Sequence, residues 1–329
     1  MNKLSIKNFV ANQNNSKKIF TAGPASLLEE NLLGLRPCFG RGDTDYNKIE
    51  NYVLKKLKNM SKHKYIARMQ GSGSLALEIV ASNFLYGNIL IIDTGYYSDR
   101  LYLLANDAKK NFKQIRKVEK INWKKLQNIK NKKFNWIWAC PTETSVGLKL
   151  PISKLKKFSK KTQSKLALDA TASFGLEMGH GLADVISYSS CKGLFGLTGA
   201  SFIAFNSKPK LNISSFYLNI FNHLNKKMTG PYHSICSLYE VLKNHNKIKK
   251  SVIKNKKIFI KKMKKWIIFE RENQPLLCTY VNKKIKKNSK NVILYEPRNK
   301  LDGSVVCHLG EVHLKDKSKG KILNFINAR

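Results

Sequence analysis

The sequence is poor in the residues that build metal centres and disulfide frameworks. It has six cysteines in 329 residues, and none of them lies in a CxxC pair or in another spacing typical of a zinc site. Scattered cysteines of this kind are typical of a reduced, intracellular protein. The sequence therefore predicts a protein with neither a metal site nor disulfide bonds.

Long apolar runs are also absent. The N-terminal stretch "MNKLSIKNFVANQNNSKK" lacks the continuous hydrophobic region of a secretion signal. No uninterrupted apolar run reaches the length that a bilayer-spanning helix requires. Together with the cysteine pattern, this predicts a cytoplasmic protein without a membrane span.

Acidic residues are scarce, since 21 Asp and Glu stand against 61 Lys and Arg and give a formal net charge of +40. Such an excess raises the possibility of a polyanionic partner. The basic residues are scattered, however, with no repeated basic motif and no aromatic-basic strand of the kind that binds RNA. We therefore expect no specific nucleic-acid partner.

The densest basic run, Lys247–Trp266, carries apolar residues at helical spacing. These are Ile248, Val252, Phe259, Met263 and Trp266. The spacing favours an amphipathic helix with a solvated lysine face. A surface that touches acidic lipid or nucleic acid is the alternative.

One interval of the chain lacks basic residues almost completely. From Leu166 to Ser207 the only lysine or arginine is Lys192. An even distribution of the basic residues would place several more in a stretch of this length. The sequence around Lys192 therefore has a different composition from the rest of the chain.

Short apolar runs alternate with longer amphipathic stretches over residues 20 to about 245. The runs "NILIID", "NWIWAC", "KLALDA", "DVISYSS" and "GASFIAFN" are typical of strands, and "SLALEIVASNFL", "RLYLLANDAKK" and "ISKLKKFSKK" of helices. This rhythm predicts an α/β fold with a mostly parallel central sheet flanked by helices. We predict an N-terminal arm (1–19), a large domain (20–248) and a small C-terminal α+β domain (249–329).

Two short stretches offer small and hydroxylated side chains where an open α/β sheet places its ligands. In "QGSGSLALE", Ser72, Gly73 and Ser74 precede a helix whose free N–H groups suit a phosphate. A turn that only caps the helix has the same composition. In "CPTETSVG", Ser145 could hydrogen-bond the edge of a cofactor ring, or the stretch is a plain turn.

A carboxylate and an amine form the third candidate. Asp169 ends the predicted strand "KLALD", and Lys192 follows the next predicted strand. Neighbouring strand ends would bring both groups into one cleft. Such a pair suits pyridoxal phosphate, because a lysine binds its aldehyde and a carboxylate keeps its pyridine nitrogen protonated. A structural ion pair is the alternative.

Eight short motifs, in order along nearly the whole chain, resemble those of the class V aminotransferases, which are fold-type I pyridoxal phosphate enzymes. The 2-aminoethylphosphonate:pyruvate and alanine:glyoxylate branches are the most similar. The motifs are "FTAGPASLLEENL", "GRGDTDY", "GSGSLALE", "DTGYYSDR", "ETSVG", "LDATASFG", "SSCKGLFGLTG" and "MTGPYHSICSLYEVL".

The resemblance implies a role for each matching residue. Lys192 would bind the cofactor aldehyde and move the substrate proton, and Asp169 would pair with the pyridine nitrogen. Ser72, Gly73 and Ser74 would bind the cofactor phosphate, and Thr229 would reach the phosphate of a second subunit. Tyr97, or its neighbour Tyr96, would stack on the ring, and Ser145 would lie near the ring hydroxyl. Ser190 would either bind the phosphate or pack in the interior. The implied protein is a homodimer with shared active sites.

The chain departs from the family where the substrate would bind. The family ends with F-R-I-G-x-[IL]-G, whose arginine holds the substrate anion, whereas "SVVCHLGEV" places Val305 at that position. Arg41, Arg298 and His308 are the candidate replacements, with a surface role for Arg298 and an interior role for His308 as the alternatives.

The resemblance implies a pyridoxal phosphate-dependent aminotransferase. We predict transfer of an amino group from 2-aminoethylphosphonate, or a similar small anionic amine, to pyruvate. Alanine:glyoxylate or serine:glyoxylate transfer is the first alternative. A basic binding protein that has kept the fold and lost catalysis is the second.

Overall fold

A seven-stranded sheet forms the centre of the protein, seen here in a computed structural model that describes residues 5–129, 133–210, 213–314 and 321–327. In spatial order the strands are β2 (Tyr65–Gln70), β10 (Ala200–Phe205), β9 (Val185–Ser189), β8 (Lys165–Asp169), β5 (Trp136–Ala139), β3 (Gly87–Asp93) and β4 (Ile115–Asn122). Strand β10 is antiparallel to both of its neighbours. The four other pairs of neighbouring strands are parallel, so the predicted mostly parallel α/β sheet is confirmed.

Eight α-helices surround this sheet in the described part of the chain. They are α1 (Ile6–Ser16), α2 (Glu29–Leu33), α3 (Thr44–Ser61), α4 (Gly73–Asn83), α5 (Tyr96–Phe112), α6 (Ile152–Lys161), α7 (Ile220–Leu224) and α8 (Tyr232–Met263). The remaining short strands are β1 (Lys18–Phe20), β6 (Thr142–Glu143), β7 (Leu148–Lys149), β11 (Cys278–Val281), β12 (Lys286–Lys287), β13 (Val292–Leu294), β14 (Ser304–Cys307) and β15 (Ile326–Asn327).

Both faces of the sheet are covered, which is why its strands are almost continuously apolar. In β3, Ile89 and Ile91 pack against the side that carries α4 and α5. Leu90 and Ile92 belong to the cluster on the opposite side, where α3, α6 and α8 pack. The alternation of side chains along a strand therefore places successive isoleucines and leucines in two separate cores.

The N-terminal arm and the C-terminal residues are joined by backbone pairing. Strand β1 pairs in parallel with β13, and Phe20 packs into a third apolar cluster formed mainly by C-terminal side chains. Helix α8 runs unbroken across the predicted boundary between residues 248 and 249. The division into an arm and two domains remains a prediction.

The basic run in α8 is helical as predicted, and its apolar stripe is buried at Ile248, Val252, Phe259 and Met263. The helix ends at Met263. One lysine of the predicted solvated face, Lys256, is buried instead. Its Nζ donates to the carbonyl oxygens of Pro275 and, at 2.9 Å, Cys278. Burial lowers the pKa of Lys256 to about 8.

In the portion of the chain that the structure describes, no helix is both long enough and apolar enough to cross a membrane.

Acid is expected to destabilise the fold through its buried histidines. Six of the seven histidines are buried, and burial lowers the pKa of each. For His180, burial lowers the pKa from 6.5 to about 3. Below pH 6.5 the unfolded chain therefore binds more protons than the folded one. Each such histidine should remove up to about 1.4 kcal/mol of stability per pH unit as the pH falls.

Denaturant unfolding between pH 7 and pH 5 measures this effect. A His180→Asn variant should give a shallower loss of stability with falling pH than the unsubstituted protein. A His233→Asn variant provides the control, because His233 is exposed and its replacement should leave the slope unchanged. Equal slopes for the two variants would contradict the prediction.

Candidate active site

Two candidate catalytic residues meet at the carboxyl edge of the central sheet. Asp169 is the last residue of β8, and Lys192 lies in the loop that follows β9. Strands β8 and β9 are parallel neighbours, with Asp169 paired to Ser187, as the sequence predicted. Both charges also act on the buried thiol of Cys140 at the end of β5. The amine and the carboxylate therefore share one region of the molecule.

Asp169 is a buried carboxylate held by the turn that follows it. Its Oδ1 accepts a hydrogen bond from the backbone N–H of Thr171 at 3.0 Å. Burial raises the pKa of Asp169, and the hydrogen bonds from Thr171 and the positive charges of Arg100 and Lys192 oppose that rise. A carboxylate in such a dry position is suited to hold a protonated ring nitrogen.

Lys192 is half-buried and is approached by the N-terminal segment. Its Nζ lies 3.5 Å from the carbonyl oxygen of Gly23. Gly23 has a φ of +112°, and a Cβ at this position would lie 2.7 Å from the Cys191 carbonyl oxygen and 2.8 Å from Cγ of Lys192. A glycine is required here because the backbone passes directly over the lysine. No role was predicted for Gly23, although it lies in the motif segment "FTAGP".

The predicted phosphate cradle lies at the start of α4. The helix begins at Gly73 after Ser72, whose side chain makes no capping hydrogen bond, and both Ser72 and Ser74 are exposed. A Cβ on Gly73 would lie 3.2 Å from Oγ1 of Thr171 and 3.7 Å from Cβ of Ser189. The helix start therefore abuts the chain that follows β8 and the end of β9, and it opens toward solvent.

Tyr97 lies in the first turn of α5, beside the cradle. Its ring centroid is 5.4 Å from that of Tyr96. The Arg100 guanidinium lies 5.0 Å from the centre of the Tyr97 ring, and its Nη1 donates to Oγ of Ser74 at 3.2 Å. Arg100 thus connects the aromatic pair to the predicted phosphate cradle. The sequence assigned Arg100 no role, although it ends the quoted motif "DTGYYSDR".

Glu143 fastens the start of α5 to the "ETSVG" loop. This fully buried carboxylate accepts hydrogen bonds from the backbone N–H groups of Tyr97 and Ser98 and from the hydroxyl of Ser145, the last at 2.5 Å. Burial raises the pKa of Glu143, and these hydrogen bonds oppose the rise. The sequence did not predict this positioning role, because the motif identifies Glu143 but not the groups that donate hydrogen bonds to it.

Ser145 and Ser190 are both buried and already hydrogen-bonded. Besides donating to Glu143, the Ser145 hydroxyl accepts from the backbone N–H of Tyr96 at 3.3 Å. The Ser190 hydroxyl lies within hydrogen-bond distance of the carbonyl oxygens of Leu197 and Ala200. These contacts agree with the packing alternative for Ser190.

Thr229 and Arg41 are exposed and lie in two segments that meet at the start of α8. Thr229 precedes Gly230, which packs against the Arg68 guanidinium, and Gly40 packs against the ring of Tyr232. In the described part of the chain, neither side chain makes a hydrogen bond, ion pair or ring contact with the residues around Lys192.

The position of the missing family arginine is filled by apolar packing. Val305 is buried and pairs with Tyr280 between β11 and β14. His308 is an interior histidine, because its Nε2 lies 2.9 Å from Oγ1 of Thr279 and its side chain is fully buried. The exposed Arg298 lies beside the site, with its guanidinium 5.3 Å from the centre of the Tyr96 ring.

The residues present fit pyridoxal phosphate. A lysine and a buried carboxylate lie at the ends of adjacent parallel strands. The start of α4 opens beside them, and a Cβ at Gly73 would crowd this helix start. A nucleophilic amine, a carboxylate and a phosphate-binding helix start are the groups that pyridoxal phosphate chemistry requires. Among described residues, no cluster of three or more His, Cys, Asp or Glu side chains offers a metal site.

Comparison with known proteins agrees with this class. No family model matches the chain. Two 2-aminoethylphosphonate–pyruvate transaminases from Vibrio cholerae serotype O1 strains are each 25% identical over 253 residues, or 69% of this chain and 69% of each relative. The resemblance to class V aminotransferases seen in the motifs is confirmed.

Solved structures establish the same fold. Alanine–glyoxylate aminotransferase from Nostoc sp. superposes with a TM-score of 0.77 at 17% identity and covers 94% of both chains. Pyridoxamine–pyruvate aminotransferase from Mesorhizobium loti gives a TM-score of 0.74 at 17% identity, over 94% of this chain and 91% of that one. The chain therefore has the aminotransferase fold.

Proposed function

We propose that the protein is a pyridoxal phosphate-dependent aminotransferase. The observation that carries the proposal is the meeting of Lys192 and Asp169 at the ends of two adjacent parallel strands, next to the open start of α4. When bound, the cofactor supplies an aldehyde that captures amines and a ring that withdraws electrons from the substrate carbon.

Each side chain then has a defined task. Lys192 would hold the cofactor through its amine, and its Nζ would serve as the base and acid that moves the substrate proton. Asp169 would keep the ring nitrogen protonated. The start of α4, at Ser72, Gly73 and Ser74, would hold the phosphate through N–H groups and the helix dipole.

The remaining cofactor contacts follow from the same arrangement. Tyr97 would stack on the ring, and Glu143 positions Tyr97 by accepting a hydrogen bond from its backbone N–H. Ser145 would bind near the ring hydroxyl. Ser190 supports the lysine loop through its hydrogen bonds to Leu197 and Ala200, which favours packing over phosphate binding.

The substrates are proposed to be 2-aminoethylphosphonate, or a similar small anionic amine, and pyruvate. The names of the Vibrio cholerae relatives support this pair. An amine donor without an α-carboxylate also tolerates the loss of the family arginine at Val305. Arg298 is the candidate cation on this chain, and Arg41 is a second candidate on the exposed surface near Thr229.

A cytoplasmic homodimer is proposed as the working form. Thr229 is exposed and makes no recorded contact with the Lys192 region among described residues. It is therefore free to reach the cofactor phosphate of a second subunit. The six cysteines are all free, which suits a reducing compartment.

The proposal is tested by spectroscopy of the purified protein loaded with pyridoxal phosphate. The lysine-bound cofactor is expected to absorb visible light, and 2-aminoethylphosphonate alone should bleach that absorption as the amino group is transferred. Pyruvate added afterwards should restore the absorption and yield alanine.

Other outcomes select among the alternatives. Bleaching by alanine or serine, but not by 2-aminoethylphosphonate, would favour a glyoxylate-type aminotransferase. No visible absorption, together with steeply salt-dependent binding to generic duplex DNA, would contradict the proposal and favour a basic binding protein.

A further inference from the structure

Two guanidinium groups share one aromatic ring at the edge of the site. The guanidinium of Arg100 lies 5.8 Å from the centre of the Tyr96 ring, and that of Arg298 lies 5.3 Å from it. Arg100 comes from the first turns of α5, whereas Arg298 comes from the segment between β13 and β14. The fold therefore brings together two cations that are far apart in the sequence.

Neither cation forms an ion pair with a residue that the structure describes. Among described residues, neither guanidinium has a carboxylate oxygen within 4.0 Å, in contrast to Arg36 and Arg68. Arg100 donates a hydrogen bond to the neutral hydroxyl of Ser74. Two like charges that contact one ring repel each other, and an anion bound between them would relieve that repulsion.

The pair also lies where a substrate anion is needed. Arg100 acts electrostatically on Asp169 and contacts both Ser74 and Tyr97, so it adjoins the predicted cofactor site. The strand position that would hold the family's anion-binding arginine is filled by buried Val305. The site therefore has no cation at position 305 but has two cations, Arg100 and Arg298, at its edge.

We propose that Arg100 and Arg298 form an anion clamp that selects substrates with a doubly charged head group, such as a phosphonate or a phosphate ester. This inference rests on the proposed aminotransferase function and specifies the substrate class. Two guanidinium groups match the charge of a dianion and donate several hydrogen bonds to tetrahedral oxygens. A singly charged head group would leave one of the two cations uncompensated.

Calorimetry with unreactive head-group analogues tests the clamp without turnover. The cofactor-loaded protein is titrated with ethylphosphonate, at a pH above its second pKa so that it is a dianion, and with ethanesulfonate, a monoanion of similar shape. We expect ethylphosphonate to bind more tightly. The variants Arg100→Met and Arg298→Met should each weaken its binding about 10- to 100-fold, as expected for a hydrogen bond between charged groups.

Donor kinetics provide the second measurement. The half-reaction with 2-aminoethylphosphonate should lose kcat/KM in both variants, chiefly through KM. In Arg298→Met, which leaves the predicted cofactor contacts intact, ethanolamine, which lacks the anion, should react nearly as before. Arg116→Met is the matched control, because Arg116 is exposed near the start of edge strand β4, away from the carboxyl edge. It should leave both measurements unchanged.

The failure of the clamp is distinguishable from the failure of the proposed function. Equal binding of ethylphosphonate and ethanesulfonate, or equal losses for 2-aminoethylphosphonate and ethanolamine in Arg298→Met, would overturn the clamp while visible absorption and amine transfer remain. Absence of the visible absorption in the unsubstituted protein would overturn the aminotransferase proposal itself.

Discussion

A Lys192→Ala variant is expected to lose amino transfer almost completely while keeping its fold. The substitution removes both the amine that binds the cofactor and the group that moves the proton. Proton transfer by a positioned side chain alone contributes about 10²- to 10⁴-fold to a rate. The variant should also lose the visible absorption of the lysine-bound cofactor. Single-turnover absorbance with 2-aminoethylphosphonate measures both effects.

The control for this variant is another lysine-to-alanine change. Lys210 is exposed, so Lys210→Ala removes the same charge without touching the site and should retain absorption and activity. Because Lys192 is half-buried in a loop, its truncation should leave the thermal midpoint close to that of the unsubstituted protein. Full activity in Lys192→Ala would rule out the assigned role of this residue.

A Glu50→Ala variant is expected to be destabilised by about 3–5 kcal/mol, the usual cost of breaking a buried charge network. Glu50 is almost completely buried on α3. Its Oε1 accepts from Arg68 Nε at 2.8 Å and from the Tyr46 hydroxyl at 3.0 Å, and its Oε2 contacts Lys226. Removal of the carboxylate leaves the buried guanidinium of Arg68 without a counter-charge.

The pKa of Glu50 agrees with this role. Burial by itself would raise the pKa, but the hydrogen bonds and charges of Lys226 and Arg68 outweigh it and hold the pKa below its usual value. A carboxyl group with a lowered pKa in the folded state stabilises the protein at neutral pH. This contribution to stability is lost as the pH falls from the usual pKa of the carboxyl group through its lowered pKa in the folded protein.

Urea unfolding at pH 7 measures the effect. Asp45→Asn is the matched control, because it removes one acidic charge from the same helix at an exposed position paired only with the exposed Lys48. It should change the free energy of unfolding by less than about 1 kcal/mol. A Glu50→Ala variant as stable as Asp45→Asn would contradict the prediction.

The Glu50 network also supports the proposed subunit contact. The Arg68 guanidinium packs against Gly230, where an added Cβ would lie 2.5 Å from its Cζ, and Lys226 lies just before the same segment. The network therefore fixes the backbone on which Thr229 is carried. Weaker cofactor binding is expected to accompany the loss of stability in Glu50→Ala.

The larger part of the sheet could be predicted from the sequence because its signals are local. Five of the seven strands appear as short apolar runs, and parallel strands buried on both faces need little more than such runs. Strand β2, "YIARMQ", was not singled out, because it carries Arg68 in its centre. The buried Glu50 on helix α3 supplies the counter-charge that makes this arginine compatible with the interior.

The sequence by itself determined the class of site, because Lys192 and Asp169 follow consecutive strands of one parallel sheet and such strand ends meet at the same edge. It also determined that the family arginine is absent, since Val305 stands in its place. Only the tertiary structure decided which of these side chains contact groups that are distant in the sequence. Arg100 and Arg298 share a ring, Glu143 binds the start of α5, and Lys256 and His308 turn inward. These pairings depend on contacts between distant segments, and a side chain's burial and charge environment are set by such neighbours rather than by its own position in the chain.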